Sequence, residues 1–276
     1  VEGTGAIEYV QTWGVQGRSE VWVGEQSGKT QDRGEVVPAT DCVVACASVA
    51  PKGNKKYVAL TFDEGPSGAT KQILQVLKEK GVTATFFLSG DAVEASPATA
   101  KAIVDAGCEI GSNSYSDDSL KGQDREAVRE QITKGTDAIK SATGVKTMLL
   151  RAPYAAFDEQ NWIDAMDLVS AVVSWNIDSG DWLLNGADEQ VSTVLDSVTP
   201  GNIVLLTDRD ECAEQTLEAL PQIIDGLVAD GYKIVTLSDL VKTDTALSKK
   251  LTSLTKVSMP KNAVFPQLAE DDETTE

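Results

Sequence analysis

Between residues 56 and 243 the hydrophobic positions switch repeatedly from short continuous runs to a three-to-four residue spacing. The continuous runs predict strands over 57–62, 84–88, 108–111, 148–151, 171–177, 202–206 and 233–237, since apolar stretches this short, bounded by turn residues, fit strands buried on both faces. The spaced runs predict helices between them. Ile73, Leu74 and Leu77 share one face of a helix over 69–80 that stops at Gly81, and Ser96-Pro97 opens a second helix that Gly107 closes. Val128, Ile132 and Ile139 mark a long helix over 124–142, and Leu217, Leu220, Ile224, Leu227 and Val228 mark another before Gly231. Seven β-then-α units of this length favour a parallel barrel over an open doubly wound sheet. No glycine fingerprint for a dinucleotide follows any of the strands.

Residues 1–55 have a different texture. Short strand-like runs alternate there with turns, around Val21-Trp22-Val23, Val36-Val37 and Cys42-Val43-Val44-Ala45-Cys46, and predict a small β-rich extension packed on the barrel. From 244 onward, Leu247, Leu251 and Leu254 predict one more helix, followed by an acidic, solvated end over 270–276. The expected organisation is therefore an extension over 1–55, a barrel over 56–243 and a helix with an acidic tail over 244–276.

Charge narrows the partners. The 276 residues carry 43 acidic and 24 basic side chains, a net charge of −19, which repels nucleic acid and anionic lipid. A neutral or cationic partner fits better, although acidity also serves solubility alone. No apolar run is long enough to span a membrane. The cysteines at 42, 46, 108 and 212 match no zinc module; Cys42 and Cys46 can pair if the backbone bends between them, and Cys108 is expected to be a small buried apolar residue. The chain contains no histidine, so the commonest metal ligand and the commonest general acid are both missing.

The chemistry gathers at strand ends. The 57–62 strand runs into two carboxylates, Asp63 and Glu64, and then the turn pair Gly65-Pro66. Carboxylates at the carboxyl end of a buried parallel strand stand where α/β proteins place their sites. The alternative is that one of them caps the next helix. Neighbouring strand residues face opposite ways, which argues against Asp63 and Glu64 as a glycosidase pair.

Five strand-end segments together resemble the NodB homology domain of the polysaccharide deacetylases, carbohydrate esterase family 4. They are Thr61-Phe62-Asp63-Glu64-Gly65, Asn113-Ser114-Tyr115-Ser116-Asp117, Arg151-Ala152-Pro153-Tyr154, Asp178-Ser179-Gly180-Asp181-Trp182 and Leu205-Leu206-Thr207-Asp208. The resemblance covers about 56–242 and implies a distorted (β/α)7 barrel, a TIM-like variant. It also implies hydrolysis of the acetamide of N-acetylated glycans such as peptidoglycan or chitin-like oligomers, at the cell surface or outside the cell.

By the same resemblance Asp63 is the catalytic base and Arg151 holds it, Tyr154 and Asp178 belong to the catalytic set, and Trp182, Tyr154 and Asp181 meet substrate. Glu64, Asn113 and Asp117 fall on the family's metal positions, two of which are otherwise histidines. Thr207 falls on its general-acid histidine. With all three imidazoles replaced, the expectation is a degenerate deacetylase that keeps a glycan groove and needs no cofactor. One alternative is an active enzyme with an all-oxygen site for Mg, Mn, Ca or Zn, with Tyr115 as a substitute proton donor. Another is a scaffold that binds protein through the extension, with Trp13 and Trp22 exposed, or through the tail.

Overall fold

The computed structural model describes residues 49–53, 55–165 and 167–244, together with the backbone of four strands within 11–45. Those four are β1 (Gln11–Val15), β2 (Arg18–Val23), β3 (Thr30–Val37) and β4 (Thr40–Ala45). β2 and β3 pair with each other, and β1 pairs antiparallel with β4. The barrel follows as β5 (Tyr57–Asp63), α1 (Thr70–Lys80), β6 (Thr85–Leu88), α2 (Gly90–Ala95), α3 (Pro97–Asp105), β7 (Glu109–Ser112) and α4 (Arg125–Thr143). It continues as β8 (Leu149–Leu150), α5 (Glu159–Ala165), β9 (Ala171–Val173), β10 (Ile177–Asp178), α6 (Ala187–Ser197), β11 (Ile203–Thr207), α7 (Ala213–Ala229), β12 (Lys233–Ile234) and α8 (Leu237–Thr243).

Seven parallel strands in the order β9-β8-β7-β6-β5-β11-β10 form a sheet that curls into a half-barrel. Its closure is incomplete. Among the described residues β9 is flanked by β8 and by β4, which runs parallel to it, and not by β10. The expected distorted (β/α)7 architecture is thus present, with one wall left open.

β5 is the axis of the fold, and its two-residue period sorts its side chains. Val58, Leu60 and Phe62 pack outward in one cluster with Ile73 and Leu77 of α1, where Phe62 stacks on Phe86 at 4.9 Å between ring centroids. Ala59 belongs to the opposite cluster inside the curl, with Phe87, Ala171, Val173 and Ile203. The same alternation turns Thr61 and Asp63 inward. Burying a large apolar side chain stabilises by about 1.5–3 kcal/mol, so a one-residue slip of β5 would exchange its apolar and polar faces and is excluded.

Several elements differ from the pattern-based expectation. The strand predicted over 171–177 is two short strands, and at the break the carbonyls of Val173, the last residue of β9, and of Ser174 accept from Arg151. The one predicted over 148–151 keeps only Leu149–Leu150 in the ladder. The last, expected over 233–237, stops at Ile234 and pairs with the start of β5; Thr236 then caps α8 by accepting a hydrogen bond from the Asp239 amide. α2 was not expected at all. Its six residues carry too little periodicity to register, and it forms because Gly90 packs against the chain at Tyr115 and Gly135. The helix expected beyond 244, the acidic tail, the Trp13 and Trp22 side chains and Cys46 fall outside what is described.

Candidate functional site

The inward turn of Thr61 and Asp63 meets an arginine. Arg151, at the end of β8, is fully buried, and its Nη1 donates to Thr61 Oγ1 at 2.7 Å and to Asp63 Oδ1 at 2.6 Å. Nε and Nη2 donate to the carbonyls of Val173 and Ser174, and the guanidinium lies 4.2 Å over the Phe87 ring. Thr61 passes the contact on by donating to the Val204 carbonyl. Burial pushes the Asp63 carboxyl up to about 6, although the Arg151 guanidinium pulls the other way. Neither Asp63 nor Glu64 caps α1, whose first residue follows Ala69 with no side-chain cap.

One residue further on, Glu64 takes a left-handed backbone, φ 73°, and leaves the strand. Its carboxylate is ion-paired to Arg209, a residue that the strand-end motifs did not single out. The same Arg209 Nη2 lies 3.3 Å from Asp117 Oδ2, which also accepts a 2.7 Å hydrogen bond from the Tyr154 hydroxyl. Burial raises Glu64 to about 7 against the pull of Arg209. Tyr154, in a left-handed conformation at φ 59°, is 68% exposed at the rim.

The register explains the meeting. Thr207 pairs with Asp63 across β11 and β5, so Arg209 and Glu64 leave adjacent strands side by side. A basic residue immediately after a strand-end motif, in a chain poor in cations, was the signal available in the sequence.

On the other flank, Asp178 accepts hydrogen bonds from the Gly180 amide at 2.9 Å and the Trp182 indole at 3.2 Å, fixing a ring that is 55% exposed. Asp181, expected to meet substrate, lies beneath the surface of the site. It is fully buried, with Oδ1 accepting from the Thr207 hydroxyl at 2.8 Å and Oδ2 from the Thr207 amide at 2.6 Å and the Thr216 hydroxyl at 3.2 Å. Burial raises its pKa despite these donors. Asp208 is likewise buried, accepting hydrogen bonds from the Ser67 and Thr70 hydroxyls, each at 2.6 Å.

The three expected metal positions do not converge as an open ligand set. Glu64 and Asp117 come together, but around a guanidinium, and the Asn113 amide nitrogen donates to the Arg151 carbonyl at 2.8 Å. No group of three or more carboxylate or thiol side chains among the described residues could hold a metal ion. A divalent cation would need several oxygens at about 2.0–2.6 Å around one point, and here that point faces Arg209. The residues present do not fit the metal. Tyr115 does not serve as the substitute donor either, since its hydroxyl donates to Glu94 on α2, 3.1 Å away. Cys108 and Cys212 are free and buried, Cys108 as the apolar filler expected of it.

Comparison with known proteins accords with this fold. The profile of the polysaccharide deacetylase family matches residues 50–169. The peptidoglycan-N-acetylglucosamine deacetylase of Bacillus cereus (strain ATCC 14579) is 32% identical over 217 residues, covering 78% of this chain and 79% of that protein. The chain belongs to the polysaccharide deacetylase family. Among solved family members, the Bc1960 peptidoglycan N-acetylglucosamine deacetylase superposes with a TM-score of 0.66 at 31% identity, covering 70% of this chain and 91% of that one. BA3943 of Bacillus anthracis, described as a CE4 family pseudoenzyme, superposes at 0.64 with 30% identity, covering 74% and 75%. Some curated relatives are much longer than this polysaccharide deacetylase family chain, which spans 31% of a bifunctional xylanase/deacetylase and 39% of two peptidoglycan deacetylases.

Proposed function

We propose that this family member binds N-acetylated glycan in its cleft and hydrolyses the acetamide weakly or not at all. The observation that carries the reading is Thr207. Its hydroxyl sits in the family's general-acid position by sequence resemblance and is engaged with Asp181, and an alcohol cannot hand a proton to a leaving amine at neutral pH. No imidazole elsewhere in the chain can replace it.

The rest of the cleft supports binding. The Asp63–Arg151 couple keeps one carboxyl at the floor, and the exposed rings of Tyr154 and Trp182 flank the opening, as aromatic faces do where sugars stack. Relatives named as peptidoglycan and chitooligosaccharide deacetylases favour a cell-wall or chitin-like polymer and a position outside the cell or at its surface. No described helix is long and apolar enough to cross a membrane. That a family pseudoenzyme of this fold exists, BA3943, supports a cleft that outlasts its chemistry.

Calorimetry with N-acetylglucosamine oligomers, alongside an acetate-release assay with and without added Mn²⁺ or Zn²⁺, tests both halves. Binding without acetate release is expected. Turnover at an ordinary enzymatic rate would refute the inactivity, and absence of binding to both chitin and peptidoglycan fragments would refute the groove.

A further inference from the structure

We propose that Arg209 is a tethered cation that stands in the cleft in place of a divalent metal, holding the mouth together and keeping metal out. Three loops at the carboxyl end of the sheet converge on it directly or through one hydrogen bond, and its own makes a fourth. Glu64 arrives from β5, Asp117 from β7, Tyr154 from β8, and Arg209 itself from β11. Both carboxylates contact the same nitrogen, Nη2. Two carboxylates sharing one such point repel, and they remain together only if a positive charge lies between them or one takes up a proton.

Arginine suits this post because a guanidinium stays charged at any accessible pH and carries several donors in a fixed plane. It needs no loading from solution. Its position is not left to a flexible loop either: the Thr207–Asp63 register and the hydrogen bond from the Asp208 amide to the Asp63 carbonyl, 2.9 Å, fix the backbone immediately before it. On the far side, the close packing of Gly90 and Gly135 against Ser114 and Tyr115 fixes the loop that brings Asp117. The guanidinium occupies the space between the two carboxylates, so a cation entering there must first evict it. What it would win is a partly exposed site of hard oxygens, which elsewhere binds Ca²⁺ at about 10⁻⁴–10⁻³ M.

The inference is independent of whether the cleft takes a glycan. Its test is Mn²⁺ binding by the full chain, followed by calorimetry and electron paramagnetic resonance, with thermal midpoints measured in Mn²⁺ and in EDTA. The unaltered protein is expected to bind no Mn²⁺ below millimolar concentration and to melt at the same temperature in either solution. Arg209→Ser should lower the midpoint in EDTA, recover part of it in Mn²⁺, and bind Mn²⁺ at least tenfold more tightly than the parent. Adding Asp117→Asn to that variant should abolish the gain. Arg209→Lys, which keeps the charge, should still exclude the metal, and it carries the test should the serine variant fail to fold. Micromolar Mn²⁺ binding by the unaltered protein, a midpoint that falls in EDTA, or a folded Arg209→Ser protein with neither altered midpoint nor Mn²⁺ affinity would overturn the proposal.

Discussion

Arg151 Nη1 lies 2.6 Å from Asp63 Oδ1, joining two strand ends across the inside of the half-barrel with both side chains buried. The acid is neutralised, the guanidinium has acceptors on three further atoms, and neither partner can leave alone without stranding the other. Removing one partner of a buried pair costs about 3–5 kcal/mol. Arg151→Met, close in length but uncharged, is therefore expected to lower unfolding stability by roughly that amount. Denaturant titration measures it, and a loss under about 1 kcal/mol would mean the couple is solvated.

Four carboxyls around the cleft, those of Asp63, Glu64, Asp181 and Asp208, have pKa values raised by burial. An acid whose pKa is higher in the folded state holds its proton more tightly there, so stability is gained as pH falls through the folded value and lost as pH rises. The window runs from 3.8 to about 6 for Asp63 and from 4.5 to about 7 for Glu64. Relief of the −19 net charge acts in the same direction. Asp167 and Asp239, with lowered pKa values, oppose it only at the acid end, below 3.8. The thermal midpoint is expected to be higher at pH 5.5 than at pH 7.5, and Asp63→Asn should flatten part of the slope. A midpoint that climbs over this interval would contradict the assignment.

Gly135 lies within α4, where alanine ordinarily stabilises by about 1 kcal/mol. Here a Cβ would overlap the Ser114 carbonyl oxygen. Gly135→Ala should therefore destabilise, by about 1–3 kcal/mol as overpacking does, and it should weaken any function that depends on the Asp117 loop. Chemical denaturation decides the sign. An increase in stability would show that the loop moves aside freely.

Trp182 is exposed and its indole is held by Asp178, so its removal takes little from the folded core. Trp182→Ala should leave the thermal midpoint within about 2 °C, since surface changes stay within about 0.5 kcal/mol. It should also weaken glycan binding about tenfold, the order expected of a central aromatic anchor. Calorimetry with the same oligomers would show unchanged affinity if the ring faces away from the ligand.

The elements that carry this site were legible because their signals are local. Asp63 follows an apolar run, Arg151 opens one recognisable segment and Trp182 closes another, and the helix starting after Asp124 bears its capping side chain in the sequence, with the Ala127 amide donating to it. What could not be read depends on partners distant in the chain. The 171–177 run is apolar enough for one strand, and its break, where Arg151 arrives, shows only in the fold. Asp181 resembles an exposed loop acid until Thr207 and Thr216 close over it. Arg209 carried no motif, and its role follows from the register of two strands.

The gap between β9 and β10 has a bearing on what Arg151 does for the architecture. Where an unbroken edge would satisfy the Val173 and Ser174 carbonyls through a further strand, here they are spoken for by one long side chain that follows the adjacent strand β8. Arg151 is thus a seam of the architecture, and its presence testifies to construction before it testifies to turnover.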